Sequence, residues 1–297
     1  MKILVTGYPG QLAMCVADCL KERNIDYDAL SIGEFDITNK DDVFNRLEYG
    51  RYDYLINCAA YTNVDAAEDD MDNALKVNDA AVMLLAKACE ENNITLIHIS
   101  TDYVFKGDSV FHKTEDDKRS PINMYGKTKA LGEINIEEVA GNHKLKYMII
   151  RTAWLYSEYG NNFVKTILRK LAEGEVVNVV NDQYGSPTYA RDLADFIVNS
   201  VIGNEFESGI YHYTNEGSCS WYDFTVAIAT NYNKVCQEIN LPVAAPVNPI
   251  RTQDLKQKAI RPPFVVLSKD KVKKVFNIKI PHWSESLEKM MSRYISL

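Results

Sequence analysis

The sequence predicts an α/β fold, a doubly wound parallel sheet with a smaller C-terminal domain intercalated with it, and three observations carry that expectation. Short apolar runs alternate with helix-like segments through the first half, the runs are apolar almost without interruption, and the first of them breaks at a glycine turn. Alternation with helices is the rhythm of βαβ units, and a strand with no polar alternate positions is covered on both faces.

In order, KILVT at 2–6 reads as the first strand, and a helix follows from about Gly10. DALSI at 28–32, a helix near 40–49 and DYLINC at 53–58 complete the next unit. A long helix at about 73–92, the strand ITLIHIS at 94–100, a helix at about 123–139 and the strand LKYMIIRT at 145–152 continue it. Pro121 stops the chain before it from being helical and places the start of the following helix near Asn123. After Trp154 the pattern loosens into a helix from NNF to about Leu171, a strand EVVNVV at 175–180, a helix from Ala190, a strand GIYHYT at 209–214 and a helix from Ser220. The stretch from about Leu241 to Pro263 is proline-rich, and FVVLS and a helix from about Trp283 close the chain.

With 297 residues, 46% of them hydrophobic, the chain has enough apolar surface for one large core or a larger domain with a smaller partner. A net charge of −8 excludes nucleic acid as the main partner, because phosphate binding needs concentrated basic surface. No run approaches the ~18 apolar residues of a membrane span, and MKILVTG leads into a strand instead of a secretory leader. The six cysteines form no CxxC pair and sit mostly in apolar segments, which fits reduced thiols, a cytoplasmic location and no metal site.

TGYPGQLA at 6–13 joins the first strand to the first helix, so Gly7 and Gly10 lie where a backbone must turn tightly and approach a pyrophosphate, with Gln11 and Leu12 opening the helix. An ordinary strand-to-helix turn is the alternative reading of two glycines at this spacing. Ala13 takes the place of a third glycine. An acid at the end of the second strand normally holds the adenosine ribose; here Ser31 stands there, which leaves NADH and NADPH both open. Asp36, with Ile37 beside it, lies under the adenine or else belongs to a helix start at Thr38. NCAAYTNVD at 57–65 ends the third strand at the ligand-binding edge, where Ala59 and Ala60 are small enough for a dinucleotide to lie against, and Tyr61 and Thr62 add polar groups.

The fourth strand ends at Thr101, and Tyr125 and Lys129 are four apart, neighbours on one helix face. A ketone that receives hydride needs a proton donor, and a phenol with a pKa of about 10 serves near neutrality once an ammonium lowers it. An exposed helix face is the plain alternative for such a pair, and its position after the glycine turn and Thr101 is what favours catalysis.

GQLA, CAAYTNVDAAE, STDYVFKG, P-x-N-x-YGKTKALGE, RTAWLYSEYGNNFVKT and NDQYGSPT, in that order, resemble the dTDP-4-dehydrorhamnose reductase family, extended short-chain dehydrogenases. The resemblance covers residues 2 to about 190 and implies a Rossmann-type domain over 1–153, to which strands and a helix from about 175–215 are added, and an intercalated substrate domain over 154–297. It implies reduction of the 4-keto group of dTDP-4-dehydro-L-rhamnose to dTDP-L-rhamnose by NADPH or NADH, in deoxysugar and cell-surface polysaccharide biosynthesis, with Thr101, Tyr125 and Lys129 as the triad. Asp102, Tyr103 and Trp154 are then substrate neighbours, and Asn162 and Arg261 reach the diphosphate of the dTDP-sugar. Where some members carry glutamates for a magnesium-linked dimer, this chain has Cys15 and Arg191, neither a hard-cation ligand, so both monomer and homodimer stay open. Two other readings share these motifs: another nucleotide-4-keto-6-deoxy-hexose reductase, and a non-catalytic NADP-binding regulatory subunit resembling that of methionine adenosyltransferase.

Overall fold

The computed structural model describes residues 1–141, 144–238 and 244–296. Its centre is a sheet of six parallel strands. β1 (Lys2–Thr6) leads through the glycine turn into α1 (Gln11–Glu22), β2 (Asp26–Leu30), α2 (Lys40–Gly50) and β3 (Tyr54–Asn57). The long helix expected next is α3 (Met71–Leu75), a π turn at Lys76–Ala80 and α4 (Ala81–Glu91). β4 (Thr95–Thr101), α5 (Met124–Ala140) and β5 (Tyr147–Thr152) follow.

Beyond it the chain forms β6 (Leu155–Tyr156), α6 (Phe163–Ala172), β7 (Val177–Val180), β8 (Tyr184–Gly185), β9 (Thr188–Tyr189), α7 (Ala190–Phe196) and β10 (Gly209–His212). β11 (Cys219–Ser220), α8 (Trp221–Glu238), β12 (Val247–Ile250), α9 (Asp270–Phe276) and α10 (Trp283–Ser296) complete it.

The strand order is β10-β5-β4-β3-β1-β2, so the sheet reverses direction of growth at β1 and β3, and an open α/β sheet binds ligand in the crevice at such a point. The apolar strands are covered on both faces, as their composition required: α1 and α7 enclose Val5, Ile56 and Ile150 on one side, and α2, α4 and α5 enclose Leu4, Leu55 and Ile149 on the other. A separate core of Tyr156, Val164, Phe224, Leu287 and Met290 unites α6, α8 and α10.

Four details differ from the sequence expectation. β2 ends at Leu30, which leaves Ser31 just beyond the strand. Of the two strands expected to extend the sheet from 175–215, β10 joins it beside β5, whereas β7 pairs with β12 in a sheet of its own. FVVLS makes isolated bridges, Phe264 to Asp108 and to Tyr184 and Leu267 to Lys113, and belongs to none of the sheets. The proline-rich stretch holds β12, while its residues 241–243 lie outside the described residues.

Candidate active site

A cleft of about 780 Å³ opens at the carboxyl ends of β1, β3 and β4. Its floor is the glycine turn. Gly7 has a left-handed φ of 81°, and a Cβ there would fall 2.7 Å from the Ala59 nitrogen; a Cβ on Gly10 would fall 2.6 Å from the Gly7 carbonyl oxygen. Only glycine fits either place, which is what a cradle pressed against the next strand end requires. Gly10 stands at the N-terminal cap of α1 and offers no side-chain cap, and the helix carries no acid in its first turn. That helix end faces the cleft through Gln11 and Leu12, a disposition suited to a diphosphate. Ala59, Ala60, Tyr61 and Thr62 line the same wall.

The ribose end departs from the simple picture. Ser31 does not line the cleft; its N–H and hydroxyl both donate to the Glu34 carboxylate, at 3.0 and 2.6 Å. Glu34, four residues beyond the strand end and brought back by a turn, is likewise not among the lining residues. Asp36 and Ile37 do line the cleft. The Asp36 carboxylate accepts from the Thr38 N–H and hydroxyl, and Asn39, not Thr38, caps α2.

Thr101, Tyr125 and Lys129 meet on the cleft wall. Asn123 caps α5 by accepting from the Gly126 N–H at 2.8 Å. Gly126 lets the helix lie against β4's exit, since a Cβ on it would fall 2.2 Å from the Tyr103 carbonyl oxygen. The Thr101 hydroxyl donates to Asp102 Oδ1 at 3.1 Å and accepts from the Tyr103 N–H at 3.2 Å. Burial pushes the Asp102 carboxyl up to about 7. The Tyr125 ring meets the Tyr103 ring edge-on at 5.5 Å.

The expected lowering of Tyr125 by Lys129 is not what this geometry produces. Desolvation pushes the Tyr125 phenol up to about 12, offset in part by a hydrogen bond with Thr101 and reinforced by Asp102. The shift instead falls on Lys129, which burial brings down to about 8. Its Nζ donates to the Ile99 carbonyl at 2.7 Å and lies 3.2 Å from His98 Nε2.

Trp154 lines the cleft with a left-handed φ of 47°, and its ring stacks on Trp221 at 3.6 Å with 8° between the planes. A Cβ on Gly185 would strike that ring, so the glycine of NDQYGSPT makes room for it. Trp221, Gly160 and Asn161 also line the cleft, and sequence reasoning missed all three. Each is supplied by the second half of the chain; Gly160 and Asn161 lie within the RTAWLYSEYGNNFVKT motif, whereas Trp221 has no such mark.

Asn162 and Arg261 are not among the lining residues. The Asn162 NH2 donates to the backbone carbonyls of Ser157 and Tyr159 and to Gln11 Oε1, and its Oδ1 caps α6 by accepting from the Lys165 N–H. Arg261 forms a two-pronged ion pair with Asp65 at 2.8 and 3.1 Å, holding that carboxyl down at about 2. Cys15 is buried in the sheet core, and Arg191 pairs with Glu22 and Asp195. Among the described residues no cluster of three or more His, Cys, Asp or Glu is gathered to hold a metal ion, and no helix is long and apolar enough to cross a membrane.

A doubly wound parallel sheet, a glycine cradle at its switch point and a Thr–Tyr–Lys group in the same cleft define a short-chain-dehydrogenase-like fold. The chain belongs to the RmlD family, whose substrate-binding-domain model matches residues 1–296. It is 39% identical over 294 residues to a dTDP-4-dehydrorhamnose reductase of Aggregatibacter actinomycetemcomitans, covering 97% of each chain. It is 34% identical over 286 residues to a dTDP-4-keto-6-deoxy-D-glucose reductase of Streptomyces niveus, covering 96% of this chain and 94% of the relative. A crystal structure of a dTDP-4-dehydrorhamnose reductase from Bacillus anthracis in complex with NADP superposes with a TM-score of 0.87 at 35% identity, over 98% of this chain and 99% of that one.

Proposed function

We propose that this chain reduces the 4-keto group of dTDP-4-dehydro-L-rhamnose to dTDP-L-rhamnose at the expense of NADPH or NADH. The observation that carries this reading is the convergence of Thr101, Tyr125 and Lys129 on the cleft that also holds the glycine cradle. Gly7, Gly10 and the first turn of α1 hold the cofactor diphosphate, with Ala59 and Ala60 against the dinucleotide. When bound, the reduced nicotinamide supplies the hydride. Thr101 orients the keto oxygen, and Tyr125 gives its proton to the oxygen that becomes the alcohol. A phenol held up near 12 keeps that proton throughout the neutral range, yet is still a stronger acid than the alcohol it creates. Lys129 holds the nicotinamide ribose in its ammonium form. Trp154 covers the sugar ring, and Asp102 and Tyr103 border it.

The test is oxidation of NADPH or NADH with enzymatically prepared dTDP-4-dehydro-L-rhamnose, followed by identification of the deoxysugar. dTDP-L-rhamnose is the expected product. Turnover of dTDP-4-keto-6-deoxy-D-glucose in its place would move the assignment to the activity named for the Streptomyces relative.

Because the ammonium is the working form of Lys129 and the group sits at about 8, kcat/KM is expected to fall as pH rises through that value. A flat profile from about pH 7 to 10 would separate Lys129 from the reaction. For the cofactor, NADH and NADPH are expected to differ by less than about tenfold in kcat/KM, under ~1.4 kcal/mol, with a lean to NADPH. Because Glu34 is the carboxylate bonded to Ser31 just beyond β2, Glu34→Gln should shift the ratio further toward NADPH by removing a negative charge from that strand end. An unmoved ratio would place the 2′ position elsewhere.

A further inference from the structure

Behind Lys129 runs a buried polar chain that the proposed chemistry does not use. Thr6, Asn57 and His98 sit at one register row across β1, β3 and β4, so their side chains are neighbours. All three are at most 1% exposed. The Thr6 hydroxyl donates to Asn57 Oδ1 at 2.6 Å, Asn57 Nδ2 lies 3.0 Å from His98 Nδ1, and His98 Nε2 lies 3.2 Å from Lys129 Nζ.

The direction of every bond in this chain follows from one backbone group. The Ala59 N–H can only donate, and it is shared between Asn57 Oδ1 at 3.2 Å and the Thr6 hydroxyl oxygen at 3.3 Å; an amide NH2 in the place of Oδ1 would set donor against donor, which fixes the amide oxygen on that side. The Asn57 NH2 then faces His98 and donates to Nδ1. Burial and the nearby Lys129 charge keep His98 neutral, well below the usual histidine range. A neutral imidazole has one N–H, and with Nδ1 accepting it must be on Nε2, aimed at the lysine.

We propose that His98 is a positioning residue for Lys129: its Nε2–H, imposed by Asn57, donates to the lysine nitrogen and favours the amine over the ammonium. In the amine form the lone pair takes the His98 N–H, one hydrogen goes to the Ile99 carbonyl and one is left for the cleft. In the ammonium form a third hydrogen points at a donor. His98 thus opposes the charge that Glu133, on Lys129's own helix, and Cys58, at the end of β3, favour; Glu133 is itself bound by Arg151 and Arg119. Tyr125 is the remaining titratable neighbour one turn away on α5.

Its significance for turnover rests on the reductase reading, but its first test does not. In protein labelled with 15N-histidine, two-bond proton–nitrogen correlations of the His98 ring, identified by comparison with His98→Gln, are expected to show the neutral Nε2–H tautomer from about pH 6 to 9. An Nδ1–H tautomer or an imidazolium there overturns the proposal, whatever ketone the protein reduces. The second test is kinetic: His98→Leu is expected to raise the basic limb of the kcat/KM profile by about one pH unit. A limb that stays in place or falls overturns it, because a purely structural role would lower stability without moving that limb upward. Absence of turnover with every nucleotide sugar tried would defeat the reductase reading and leave the tautomer result standing.

Discussion

Replacing Tyr125 with phenylalanine is expected to lower kcat by about 100-fold or more, while the affinity for NADPH or NADH stays near that of the parent. The substitution removes one oxygen, and the ring still packs edge-on against Tyr103. The glycine cradle and the first turn of α1 are on other elements and do not feel the change. Single-turnover kinetics with a nucleotide-4-keto sugar, together with cofactor titration by fluorescence, separates the two effects. Near-parent turnover would remove Tyr125 from the role of proton donor. A matching loss of cofactor affinity would point to a damaged fold.

The second large effect concerns stability. Glu133 is fully buried on α5, and one carboxylate accepts from Ser100, from two nitrogens of Arg151 and from Arg119, at 2.5 to 2.9 Å. Arg151 is itself 1% exposed, with its guanidinium over the Phe105 ring at 5.0 Å. Glu133→Ala leaves that cation without its carboxylate and should cost about 3–5 kcal/mol in urea denaturation. A loss below about 1 kcal/mol would mean that water or a neighbour replaces the carboxylate. Burial alone would raise this carboxyl, but the bonds from Arg151, Ser100 and Arg119 hold it below the ordinary glutamate value. The folded value lies beneath the unfolded one. Its contribution is therefore complete above about pH 4.3 and is lost as pH falls through the lower folded value.

Because α5 also carries Tyr125 and Lys129, the Glu133 network ties the candidate site to β4 and β5. In the sequence Glu133 is only the last letter of the motif P-x-N-x-YGKTKALGE. Nothing in a chain of letters says that an acid on a helix meets a serine and two arginines from other segments, since that meeting is made by packing.

The sequence by itself determined the elements of the sheet, the glycine turn, and the order in which Thr101, Tyr125 and Lys129 arrive. Those features rest on short-range physics: apolar runs that must be covered on both faces, a φ that only glycine takes without strain, and a four-residue spacing along one helix. Tertiary structure decided the rest. It returned Glu34 to Ser31 through a turn, gave Arg261 to Asp65 and Asn162 to its own loop, and set Trp221 on Trp154. It also reversed the expected electrostatics of the pair, raising Tyr125 and lowering Lys129. A pKa depends on desolvation and on which dipoles face the group, and both are properties of the folded surroundings that residue spacing does not contain.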